Sequence, residues 1–139
     1  MKIAVVYWSS TGNTEAMAQA VVEGAKHAGA EAELFTAAEF GGAKMDEFDA
    51  VAFGCPAMGA EELEDGEFAP MFETCESKLS GKKIALFGSY GWGDGEWMRT
   101  WEENCRDKGA NLVCDSVICQ ETPDDEALSA CRSLGEALA

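Results

Sequence analysis

Five short, mostly apolar runs, each followed by an amphipathic segment of helical length, constrain this chain more than any other feature of its sequence. Lys2–Trp8, Ala50–Gly54, Lys83–Ser89 and Asn111–Cys119 read as strands, with Glu31–Thr36 as a less apolar one. Strands that are apolar continuously, rather than at alternate positions, are buried on both faces. Between them, Met17, Val21, Ala25 and Ala28 recur at helical spacing, as do Phe68, Phe72, Cys75 and Leu79. Trp97, Met98, Trp101 and Cys105 mark a further helix, and Leu128, Cys131, Leu134 and Leu138 a last one begun near Asp124. Gly29, Gly81 and Gly109 follow three of these helices, where a chain often leaves its last turn. From 37 to 48 the pattern is mixed, with a helical turn expected at Met45–Phe48. Strands joined by helices make right-handed crossovers, so the expected fold is α/β, a doubly wound parallel sheet covered on both faces. Ligands of such sheets bind beyond the carboxyl ends of the strands, which directs attention to the loops after strands one, three and four.

At 139 residues the chain is expected to form a single domain over 1–139, since two halves would each be marginal. Acids outnumber Lys and Arg by 26 to 10, a net charge of −16, yet 47% of residues are hydrophobic, too many for a disordered acidic tail. That charge excludes a nucleic-acid binder, which needs clustered cations, and opposes adsorption to anionic membrane. No run approaches the roughly 18 apolar residues of a membrane span, and Ile3–Trp8 breaks directly into Ser9-Ser10-Thr11-Gly12. The six cysteines show no Cys-x-x-Cys spacing and no neighbouring His, so zinc and iron–sulfur frameworks have no support. Apolar surroundings for most of them favour reduced thiols and a cytoplasmic protein.

Three loops carry chemistry. Ser9-Ser10-Thr11-Gly12-Asn13-Thr14 sets hydroxyls and an amide beside the free N–H groups of a helix start, a cradle for one phosphate that needs no cation. The same residue types serve in an ordinary helix cap. The loop has no lysine, so it is not a triphosphate-binding Gly-x-x-x-x-Gly-Lys-Ser/Thr. After the third strand, Pro56-Ala57-Met58-Gly59 offers a thioether; after the fourth, Tyr90-Gly91-Trp92-Gly93 offers aromatic rings between glycines. If both loops project from one sheet edge, a planar ring could lie between Met58 and Trp92 with backbone amides at its edge. Met and Trp at such positions also serve as core. Trp97 and Trp101, one helical turn apart, read as core packing, and lone His27 as a solvent-facing helix end. A phosphorylatable receiver domain shares this architecture but needs acids where this chain has Ser9-Ser10 and Cys55-Pro56.

Three motifs in order, Tyr7-Trp8-Ser9-x-Thr11-Gly12-Asn13-Thr14-Glu15, Gly54-Cys55-Pro56-Ala57-Met58-Gly59 with Glu61-x-Leu63-Glu64, and Leu86 through Met98, resemble the short-chain flavodoxins of clostridia and other anaerobic bacteria over essentially the whole chain. The resemblance implies a five-stranded sheet in the order 2-1-3-4-5 and one non-covalent FMN. Carried over residue by residue, Ser9, Thr11, Asn13, Thr14 and the N–H groups of Ser10–Thr14, Gly12 among them, would hold the phosphate. Met58 and Trp92 would flank the isoalloxazine, Glu61 would accept from N3–H, and the Met58–Gly59 carbonyl from N5–H in the one-electron reduced state. Pro56, Ala57, Ser89, Tyr90, Gly91 and Gly93 would complete the contacts to ring edge and ribityl chain. Pro56 stands where some relatives carry a phosphate-binding serine, and Ala60 where a polar residue is common.

The implied protein is no enzyme but a low-potential one-electron carrier, shuttling FMN between semiquinone and hydroquinone. Its partners would be flavin or iron–sulfur oxidoreductases with basic docking surfaces, and the carrier itself a monomer. The alternative is an FMN-dependent NAD(P)H or quinone reductase of the same fold, for which this chain has little spare sequence. Glu61, Glu62, Glu64, Asp65 and Glu67, with Asp94, Glu96, Asp124, Asp125 and Glu126, crowd the expected rim. One anion about 10 Å away opposes a new negative charge by about 1.7 kcal/mol at an effective dielectric of about 20, or about 70 mV for one electron.

Overall fold

The computed structural model describes residues 1–10, 12–58, 62–91 and 93–139. Its elements follow the sequence pattern: β1 (Lys2–Tyr7), α1 (Asn13–His27), β2 (Glu31–Thr36), α2 (Gly42–Met45), β3 (Ala50–Gly54), α3 (Phe68–Cys75), β4 (Lys83–Tyr90), α4 (Glu96–Asp107), β5 (Asn111–Leu112), β6 (Val117–Gln120) and α5 (Asp125–Leu138). All strand pairs are parallel, in the order β2-β1-β3-β4-β5, with β6 also on β4. This is the doubly wound order that the resemblance implies.

The expected strand Asn111–Cys119 is broken in two. Leu112 pairs with Ile84 and Val117 with Phe87, so five residues on one side span what three span on β4, and the surplus bulges out. Ser116 in the bulge donates to Glu102 of α4 at 2.6 Å, which fixes the detour. Both pieces hold one position in the sheet, beside β4. The helical turn expected at Met45–Phe48 instead spans Gly42–Met45, preceded by a 3-10 turn at Ala37–Glu39. Beyond its end, Lys82 ties down the exit: its ammonium donates to the carbonyls of Met45 (3.1 Å) and Phe48 (2.8 Å), satisfying acceptors that the short helix leaves over.

Two cores sandwich the sheet. On one face Phe53 packs edge-on against Phe68 and Phe72, which stack on each other with centroids 6.1 Å apart, and Trp101 meets both rings edge-on. On the other face α1 and α5 cross so closely that a Cβ on Gly24 would lie 1.9 Å from the Arg132 carbonyl oxygen, and one on Gly135 2.1 Å from that of Val21. Side-chain-free contact there lets both helices reach β3 and β4. Among the described residues no helix is long and apolar enough to cross a membrane.

Candidate functional site

The carboxyl ends of β1, β3 and β4 are brought level by register, Tyr7 opposite Gly54 and Gly54 opposite Phe87. Each strand then releases its loop at the same edge. Close packing of two of these loops depends on Gly88, where a Cβ would sit 2.3 Å from the Cys55 carbonyl oxygen. Trp97 locks them from beneath by donating to that carbonyl at 3.2 Å. Tyr90 lies against Trp97, with ring centroids 5.5 Å apart.

The start of α1 is built for an external acceptor. Its N-cap is Gly12, left-handed at φ 92°, with no side-chain oxygen to receive the first helical N–H groups. The amide of Gly12 itself donates to Ser9 Oγ at 3.0 Å, which folds the loop back. By contrast α5 is capped internally, Asp124 accepting from Ala127 at 2.8 Å. Thr14 and Ser89, both buried, share a hydrogen bond of 3.2 Å between hydroxyls. Two hydroxyls joined by one bond leave one O–H proton for another acceptor.

Ser9, Ser10, Asn13, Thr14, Pro56, Ala57, Met58, Ser89, Tyr90 and Gly91 line one cleft of about 260 Å³. Ten of the residues singled out from three separate loops therefore meet. Gly12 faces an adjacent cleft, of about 320 Å³, that also contains Tyr7, Trp8 and Glu15. Gly93 is exposed at φ 90° and lies outside that lining. Thr11, Gly59, Glu61 and Trp92, and with them Ala60, fall outside the described residues. Glu121 also lines the cleft, a residue that no motif in the sequence announces. It has φ 59°, unusual for a side-chain-bearing residue, and its N–H donates to the Tyr90 carbonyl at 2.8 Å.

One detail adds to the sequence reading and another departs from it. Met58 and Glu62 exchange backbone hydrogen bonds at 2.8 and 2.9 Å, so the Met58 carbonyl already accepts from Glu62 and has one lone pair left. Glu64 is not a rim acid: its carboxylate is buried and accepts from the N–H groups of Gly66, Glu67 and Phe68 at 2.7–2.8 Å, capping α3. Burial by itself would raise its pKa, but those three bonds outweigh it and hold the group below the ordinary glutamate range. Glu62, Asp65, Glu67, Asp94, Glu96, Asp124, Asp125 and Glu126 are exposed as read, with Glu67 accepting from the Trp8 indole at 3.1 Å. All six cysteines are free thiols, and burial pushes Cys55, Cys105 and Cys131 up to about 12. Among the described residues no group of three His, Cys, Asp or Glu is placed to hold a metal ion.

The donor set suits a ligand with a phosphate at one end and a flat, soft ring at the other. Hydroxyls, an amide and a helix start without an internal cap favour an oxyanion, while Met58 and Tyr90 are large polarisable surfaces. Residues 5–135 match the family model described as Flavodoxin. The chain is similar to the flavodoxin of Megasphaera elsdenii, at 45% identity over 99% of this chain and 98% of that one, and to that of Clostridium beijerinckii, at 43% over 97% of each. The solution structure of two-electron reduced Megasphaera elsdenii flavodoxin superposes with a TM-score of 0.89, covering 98% of this chain and 97% of that one. The cleft at the carboxyl edge of a 2-1-3-4-5 sheet and the similarity over nearly the full length agree: the chain belongs to the flavodoxin family, FMN-carrying electron-transfer proteins.

Proposed function

We propose that this chain is a low-potential one-electron carrier that forms a single FMN domain over 1–139 and works between the one-electron and two-electron reduced states of the cofactor. FMN supplies the redox chemistry when bound; the chain binds it, orients it and sets the charge around it. The observation that carries the reading is one cleft joining a cation-free, hydroxyl-lined helix start to Met58. Ser9, Ser10, Thr11, Asn13 and Thr14 hold the phosphate with the N–H groups around Gly12. Met58 and Trp92 flank the ring and Glu61 accepts from its N3–H. Pro56, Ala57, Gly59, Ser89, Tyr90, Gly91 and Gly93 complete the contacts, Gly91 having open space where a Cβ would stand. If the Met58 carbonyl also accepts from N5–H, it does so with the lone pair that Glu62 leaves free.

The low potential rests on the exposed acids Glu62, Asp65, Glu67, Asp94 and Glu96, which oppose extra negative charge on the ring. Arg99 is paired with one of them, Asp94, at 3.0 Å. The same acids suit docking to basic surfaces of flavin or iron–sulfur oxidoreductases, by a monomer in the cytoplasm. Stepwise dithionite reduction of the FMN-loaded protein tests the reading. A yellow protein that turns blue before it bleaches, and does not bleach with NADPH alone, is the expected result. A single two-electron step at the potential of free flavin, or flavin fluorescence undiminished by the protein, overturns it.

A further inference from the structure

Glu121 is the one residue of charged type among the described residues that line the cleft. It lies in the loop between β6 and α5, which the motifs of the sequence leave out. Two bonds hold that loop against the end of β4 and a third steadies it internally. The Glu121 N–H donates to the Tyr90 carbonyl at 2.8 Å, Gln120 Nε2 donates to the Gly91 carbonyl at 3.3 Å, and the Glu121 carbonyl accepts from Cys119 Sγ at 3.7 Å. Among the described residues Glu121 alone, apart from glycines, takes a positive φ, a conformation that glycine would adopt without strain. A glutamate held there against its backbone preference, at a ligand cleft, points to use of its side chain.

A lone carboxylate beside a phosphate site is repelled by the phosphate, so it favours binding only if the ligand brings O–H or N–H donors to it. Between the phosphate and the ring of FMN runs a chain of hydroxyls. Tyr90 and Gly91, to which the loop is fastened, lie in the same lining as the Ser9–Thr14 hydroxyls and Met58. Resting on the FMN reading above, we propose that Glu121 is a specificity residue for the sugar-alcohol chain of the flavin, its carboxylate accepting from the hydroxyls. This places a fourth loop in the cofactor site.

Glu121→Gly tests the proposal, because it removes the carboxylate while easing the left-handed backbone. The full-length apoprotein and the variant are titrated with FMN, riboflavin and lumiflavin, the last being the ring without the hydroxyl chain. The variant should melt no lower than the parent, bind FMN and riboflavin at least tenfold more weakly, about 1.4 kcal/mol, and bind lumiflavin within twofold of the parent. Unchanged affinity for all three, or an equal loss for lumiflavin, overturns the proposal, as does tighter binding of FMN alone, which would show simple repulsion of the phosphate. A parent protein that binds no FMN refutes the FMN reading itself, whereas a parent that binds FMN with an indifferent variant refutes only the role of Glu121.

Discussion

The hydroxyls of Thr14 and Ser89 meet at 3.2 Å in the interior, although 75 residues separate them in the chain. The bond joins the first turn of α1 to the end of β4 and so holds two of the cleft-forming loops at a set distance. Removing one partner strands the other without water. Ser89→Ala is expected to lower apoprotein stability by about 1–2 kcal/mol in urea unfolding, and Thr14→Val added to it to cost little more. Equal, additive losses from the two substitutions would show that the hydroxyls do not depend on each other.

Glu64 gives a pH signature. Its folded pKa lies below the unfolded value, so its stabilisation is full above the ordinary glutamate pKa of about 4.3 and is lost as pH falls through the folded pKa. Glu64→Ala, which leaves three N–H groups at the start of α3 without their acceptor, should cost about 3 kcal/mol at pH 7. The stability gap between the parent protein and Glu64→Gln should stay level above about pH 5 and narrow below it. A gap that widens in acid would contradict the capping role.

Two glycines separate scaffold from site. Gly135→Ala drives a methyl into the Val21 carbonyl and should destabilise the fold by about 2–3 kcal/mol without altering the cleft. Gly91→Ala meets nothing within 4 Å, so apoprotein stability should change by less than about 0.5 kcal/mol. If a flavin edge approaches there, FMN affinity should fall in the Gly91 variant and hold in the Gly135 variant, as read by fluorescence titration.

The thiols should be quiet. Burial pushes Cys75 up to about 11 and Cys55, Cys105 and Cys131 up to about 12, and also raises Cys114 and Cys119. A disulfide reagent at pH 8 needs thiolate and access, so the folded protein should react slowly and only at half-buried Cys114 and Cys119, with all six reacting after denaturation. Rapid modification of Cys55 in the folded state would contradict its burial behind Glu64 and the third-strand loop.

Much of the cleft is legible in residue order because its parts are local. A hydroxyl-rich turn before an apolar-striped helix, and a Met or an aromatic among glycines after a buried strand, each state their character within a few residues. The doubly wound topology then delivers those turns to one edge, and Ser9, Thr14, Met58, Ser89 and Tyr90 do line one cleft. The acids are less legible: Glu64 and Asp65 look alike in sequence, yet one is buried as a cap and the other faces water.

By itself, then, the sequence determined the strand–helix alternation, the two-sided sheet and the chemical nature of each loop, because burial periodicity and turn chemistry act over short stretches. Only the tertiary structure decided what depends on distant partners. Pairing with β4 broke the last strand into two, since five residues had to fit beside three. Lys82, distant in sequence, came to cap the carbonyls of Met45 and Phe48 at the exit of α2. The Tyr90 carbonyl held Glu121 in a left-handed turn at the cleft wall, against the local preference of a glutamate and with no glycine to betray it.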